Sequence, residues 1–123
     1  MPKSAPSDRP SRHTVLRSYA GEIHAEPGAV YAAIKRRLTP PDPDVTRFTA
    51  DDAERLLVVQ GGWWYRGEYR VLPVDGGSRI EHELLNVAGP LHFLGGFAAR
   101  ASVRQSAHVF GRLLTELAAE LEA

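Results

Sequence analysis

The stretch RGEYRVLPVDGGSRIEHEL, residues 66–84, decides the fold. It holds two runs rich in β-branched and aromatic residues, separated by Gly76 and Gly77. Glycine accepts the positive φ of a tight hairpin turn at little cost, so Gly76-Gly77 reads as a two-residue loop. That loop sets Val71 opposite His82, Arg70 opposite Glu83 and Tyr69 opposite Leu84. Successive residues of a strand point to opposite faces. One face of the hairpin then carries Tyr65, Gly67, Tyr69, Val71, Ile80, His82, Leu84 and Asn86. The other carries Arg66, Glu68, Arg70, Arg79, Glu81 and Glu83, with Leu72 among them. A one-residue slip would bury the charged set, so the parity is strongly specified. The charged face reads as a solvated one, its cross-strand pairs contributing a few tenths of a kcal/mol each.

Upstream, RLLVVQ (55–60) is an apolar strand, and Gly61-Gly62 gives a second hairpin signal before WWYRGEYRVLPV (63–74). By strict alternation Trp63 shares the inner face with Tyr65 and Tyr69, while Trp64 points outward. VTRFT (45–49) is a short strand. HTVLRSYAGEIHA (13–25) has Val15, Tyr19 and Ile23 on one parity and reads as the first strand. EPGAVYAAIKRRL (26–38) is a helix. Pro27 suits its first turn, and Lys35, Arg36 and Arg37 suit the negative end of its dipole. TPPDPD (39–44) stops it.

AGPLHFLGG (88–96) reads as a loop. The segment from Phe97 to Glu122 lacks proline and is rich in Ala, Leu, Arg and Glu, so it reads as one long helix. Its apolar stripe is Val103, Ala107, Phe110, Leu114, Leu117 and Leu121, which suits a helix lying across the inner face of a sheet. Arg100 and Arg104 precede Glu116, Glu120 and Glu122, the reverse of what the helix dipole favours. Local rules give no reason for that order. The element order is α+β, with antiparallel strands closed by a C-terminal helix.

Composition narrows function. Fifteen basic residues balance fifteen acidic ones, with no basic stripe, which argues against a nucleic-acid partner. There is no cysteine, so no disulfide, Cys-ligated zinc or thiol nucleophile, and a cytoplasmic location is expected. No apolar run reaches the roughly 20 residues of a membrane span. Residues 1–12 lack a signal-peptide core and read as a disordered tail, leaving 13–123 as a single domain. The five histidines show no metal-ligand spacing, and no catalytic motif is present, so no metal, cofactor or catalytic residue is expected. His82 is the sharpest polar residue of the inner face, with Asn86 and Tyr69 beside it as further anchors.

Two of these stretches, with the closing helix, carry a resemblance. In EIHAEPGAVYAAI (22–34), Ile23, Ala25, Pro27, Val30 and Tyr31 resemble the opening strand-to-helix passage of the SRPBCC superfamily, also called START-like or polyketide cyclase-like, with one residue of spacing difference. Residues 66–84 resemble its mid-sheet hairpin, and 97–122 its C-terminal helix. The resemblance implies a helix-grip fold, with an antiparallel sheet wrapped around the long C-terminal helix and a cavity between. It also implies a hydrophobic, ring-bearing small-molecule ligand. Trp63, Tyr65, Tyr69, His82 and Asn86 would line the wall, Phe93 and Phe97 the mouth, and Phe110 the helix side. The chain departs from the superfamily in having TPPDPD in place of a second small helix, and five strands, which favours a small or open pocket. Two other readings stand beside binding. One is a cyclase or aromatase with His82 as acid/base. The other is an interaction module with a filled core, or a homodimer formed through Trp64 or an edge strand.

Overall fold

The computed structural model describes residues 6, 8–10, 13–42, 46–61, 64–88 and 100–122. Among the described residues five strands and two helices follow one another: β1 (Thr14–Ile23), α1 (Pro27–Leu38), β2 (Thr46–Asp51), β3 (Leu56–Gly61), β4 (Tyr65–Val74), β5 (Gly77–Asn86) and α2 (Arg100–Leu121). The strands form one antiparallel sheet in the order β1-β5-β4-β3-β2. The chain is therefore α+β, with a C-terminal helix against the sheet, as the element order requires. No helix among the described residues is long and apolar enough to cross a bilayer.

The β4–β5 register corrects the reading of the turn. Val74 pairs with Gly77, so the loop residues are Asp75 and Gly76, and it is Gly76 that takes the positive φ, +79°. Only the second loop residue takes positive φ, as in a type II turn, and Gly76 accepts it at little cost. Tyr69 therefore faces His82, Glu68 faces Glu83, and Arg70 faces Glu81. The register moves by two residues, an even number, so both faces keep their membership. Gly77 is glycine for a different reason. A Cβ there would sit 2.3 Å from the Ile23 carbonyl oxygen, where β5 passes the end of β1.

The first hairpin departs further. Gly61 pairs with Tyr65, so β4 opens at Tyr65 and Trp64 lies in the turn rather than on a strand. Trp64 sits edge-on to the Tyr65 ring, centroids 5.4 Å apart, and its carbonyl accepts the Val87 N–H at 2.8 Å. The half-buried Trp64 thus has local contacts of its own. Trp63 lies outside the described residues, as do Phe93 and Phe97.

Both helices pack on the inner face. Val30, Ala33 and Ile34 of α1 and Leu117 of α2 are fully buried beside Ile23, Leu57, Val71 and Ile80. Gly21 lets α2 approach β1, since a Cβ there would meet the Leu114 side chain at 2.4 Å. The stripe on α2 is corrected at one position: Ala107 is exposed and Ser106 is buried in its place. The acidic C-terminal end of α2 gains its reason from α1. Glu120 is paired with Arg36 and, at 2.8 Å, with Arg37, and Glu122 accepts the His24 backbone N–H at 2.7 Å. Tertiary partners at the basic end of α1 outweigh the unfavourable dipole term, which is only about 0.3–1 kcal/mol per charge.

The outer face is not the solvated surface that its charges suggested. Arg66 is fully buried and Glu68 is 8% exposed. Arg66 donates Nε–H to Glu68 at 2.8 Å, and Nη1 donates to the Gln60 side-chain oxygen at 2.9 Å and to the Pro6 carbonyl at 2.7 Å. Val58 and Leu85 on this face are also fully buried.

Gly77→Ala tests the close crossing of β1 and β5. Backbone cannot yield as a side-chain tip can, so a loss of about 1–3 kcal/mol is expected from urea unfolding. A change below about 0.5 kcal/mol would contradict the crossing.

Candidate functional site

The site residues are set by one row of the sheet. Pairing runs Tyr19–His82 across β1 and β5, His82–Tyr69 across β5 and β4, then Tyr69–Leu57 and Leu57–Ala50. Directly opposed side chains are the strongest cross-strand neighbours. The His82 ring stacks on Tyr69 with centroids 4.0 Å apart and planes 11° from parallel. Tyr19 flanks the other side at 6.1 Å, and Phe110 of α2 lies 5.6 Å from His82 and 5.7 Å from Tyr19. The helix therefore rests on the row through ring contacts. Each such pair contributes about 0.5–1.5 kcal/mol beyond its buried area.

The polar atoms of the row are set by their partners. His82 Nδ1 lies 3.0 Å from the Glu68 carbonyl oxygen, which can only accept, so Nδ1 carries the proton. Nε2 has no partner among the described residues. Burial pushes the His82 pKa below its ordinary 6.5, against weaker opposing pulls from the Glu68 carbonyl and the Glu83 charge. His82 is thus neutral at pH 7 with a lone pair free on Nε2. Tyr19 donates to Ser106 Oγ at 2.5 Å, because the Ser106 hydroxyl is itself donated to the Val103 carbonyl at 2.8 Å. This bond ties β1 to α2 next to the ring stack.

Tyr69 is 8% exposed, and its hydroxyl has no hydrogen-bond partner among the described residues. Burial raises its pKa, and the nearby Tyr65 phenol adds to the rise. Among the described residues no buried side-chain nitrogen or oxygen is left without a partner, so the Tyr69 hydroxyl reaches solvent. The opening it borders is a cleft of about 350 Å³ between the end of α1, α2 and the sheet. Leu38, Tyr69, Val109, Phe110 and Leu113 give it apolar walls, and Arg37, Arg112 and Glu116 stand at its edge. Val109, 57% exposed, is the conspicuous apolar side chain there.

The expected residues are thus brought together in part. Tyr69, His82 and Phe110 form one cluster, and Tyr65 stands four residues along β4 from Tyr69. Tyr65 runs along β4 over Gly67, where a Cβ would lie 2.5 Å from the Tyr65 hydroxyl. Asn86 stands four residues along β5 from His82, about 13 Å at 3.3 Å per residue. Its side-chain oxygen accepts the Ala88 N–H at 3.0 Å, so it closes the end of the strand. Trp63, Phe93 and Phe97 lie outside the described residues. Tyr19, Ser106, Leu38, Val109 and Leu113 were not anticipated at the site. Tyr19 had a signal in its shared parity with Ile23, but its neighbour depends on β1 pairing with β5, which local pattern does not state. Among the described residues no group of His, Asp and Glu is arranged to hold a metal ion.

Comparison with known proteins found no matching family model and no significant match among curated proteins or solved structures.

Nitrogen-detected NMR should show His82 neutral and protonated on Nδ1 at pH 7, with a pKa below 6.5. Because the folded pKa is lowered, the unfolded chain binds more protons in the interval beneath 6.5. His82 therefore contributes stability above pH 6.5, and this is lost as pH falls through the folded pKa. The urea midpoint should drop more between pH 7 and 5 in the native chain than in His82→Phe. A His82 pKa above 6.5 would overturn the assignment.

Proposed function

We propose that the chain binds a small, apolar, ring-bearing molecule in the cleft beside Tyr69 and Phe110. The observation that carries this reading is Tyr69, a ring 8% exposed at the edge of an apolar opening, whose hydroxyl reaches solvent and has no hydrogen-bond partner among the described residues. A phenol that reaches solvent beside apolar walls can donate to, or accept from, a ligand's polar atom. The volume of about 350 Å³ falls at the lower end of the range of small-molecule sites. Aromatic rings on the floor favour a flat ligand that can stack or meet them edge-on. The α+β architecture is compatible with the helix-grip arrangement that the SRPBCC resemblance implies. The site, however, opens at the side of α2 rather than between the helix and the row it rests on.

Binding is preferred to cyclase or aromatase chemistry because His82, the candidate acid/base, stands behind Tyr69 and is not among the residues bordering the cleft.

Native mass spectrometry of the freshly purified chain should show retained mass that organic extraction removes. Val109→Glu puts a carboxylate at the apolar edge without touching the core, so its thermal midpoint should match the native chain while retained mass falls at least tenfold. Undiminished retention in Val109→Glu would exclude this cleft as the site.

A further inference from the structure

The outer face of the sheet carries a built cation receptor that is independent of the cleft. Glu68 and Glu83 face each other directly across β4 and β5. Like charges so placed repel; Arg66 of β4 meets Glu68, and a further cation bridges the two carboxylates. The cation comes from the segment read as a disordered tail. Arg9 donates from Nε to both Glu68 oxygens at 3.1 Å, and from Nη2 to Glu68 Oε1 at 2.8 Å and Glu83 Oε1 at 2.6 Å. This is fork-like recognition of one carboxylate with a second carboxylate bridged, a geometry for which guanidinium is suited and ammonium is not.

The receptor is held in place without Arg9. Glu68 is fixed from beneath by the fully buried Arg66, and Glu83 accepts a hydrogen bond from the Ser18 hydroxyl at 3.2 Å. Burial alone would raise the Glu68 pKa, but hydrogen bonds from Arg9 and Arg66 outweigh it and hold the carboxyl below its ordinary range. Space also remains beside the guanidinium. A cleft of about 240 Å³ continues past Arg9 and Asp8 along Leu56, Arg70 and Glu81, more than one arginine fills. The Arg9 side chain is 32% exposed, so its hold can be exchanged from solvent.

We propose that Glu68 and Glu83 form a binding site for an arginine-bearing peptide segment, occupied in cis by Arg9, with Asp8–Pro10 acting as a latch that such a segment from another molecule displaces. The chain's own segment supplies the fitting chemistry, one arginine preceded by an aspartate and followed by a proline. A tethered latch competes at an effective concentration on the order of millimolar, so it masks the site from weak ligands and yields to tight ones.

The test uses the full chain with Arg9→Ala and a fluorescent peptide of residues 4–11, SAPSDRPS. Arg9→Ala should bind the peptide at least tenfold more tightly than the native chain does. Adding Glu68→Gln should remove at least tenfold of that affinity, and a peptide with alanine for its arginine should not bind. The proposal is overturned if folded Arg9→Ala fails to bind, if the native chain and the variant bind equally, or if the alanine peptide binds as well. Should Arg9→Ala not fold, the native chain serves. Excess peptide should move the Arg9 Nε–H resonance towards its free-arginine position, and no movement at millimolar peptide overturns the proposal.

Discussion

The row Tyr19–His82–Tyr69 is the constraint on which the rest of the structure depends. It crosses three strands and fixes their mutual register, because each ring needs the next one directly opposite. It also gives α2 its seat, since Phe110 stacks on two of the three rings. A histidine in this position is chemically economical. Its flat ring continues the stack, its Nδ1–H satisfies the Glu68 carbonyl, and its lowered pKa keeps charge out of the core. Phenylalanine would keep the stack but lose the hydrogen bond. Lysine or arginine would bring a charge that burial penalises.

The sheet separates two kinds of burial. The inner face excludes water with apolar and aromatic side chains against the two helices. The outer face buries charge, and does so by saturating it: Arg66 finds Glu68, Gln60 and Pro6, and Glu68 finds Arg66 and Arg9. Replacing either partner of such a pair is costly, since the survivor keeps its desolvation penalty without compensation. The polar interior is therefore a source of specificity for where the N-terminal residues lie.

Much of this was legible in the chain. Alternation assigned Tyr69, His82 and Ile80 to the inner face, and it did so through a register that was wrong by two, because parity survives an even shift. Helical spacing and the flanking prolines bounded α1 to within a residue. What was not legible depended on partners distant in sequence. Ser106 displaces Ala107 from the buried stripe because Tyr19 reaches for its hydroxyl across 87 positions. Arg66 looked like one more surface charge, and Gln60, Glu68 and Pro6 converging on it make burial tolerable. Asp75-Gly76 and Gly76-Gly77 are both plausible turns locally, and the choice falls to the Tyr69–His82 stack. The cleft itself is made by the ends of two helices meeting over a strand, and no local pattern encodes its volume.

The bond from His24 to Glu122, and the ion pairs from Arg36 and Arg37 to Glu120, join positions 83 to 98 apart along the chain. β1 likewise finds its partner only in β5, far downstream. During synthesis the first strand and helix thus emerge with their edge and apolar surface unmatched. They stay so until nearly the whole domain has left the ribosome. Such non-local closure slows folding, because loop entropy is spent before the contacts repay it. The interval also leaves the β1 edge open to mispairing. Arg17, Ser18 and Glu22 put charge and hydroxyl along β1, so the nascent segment carries its own protection while it waits.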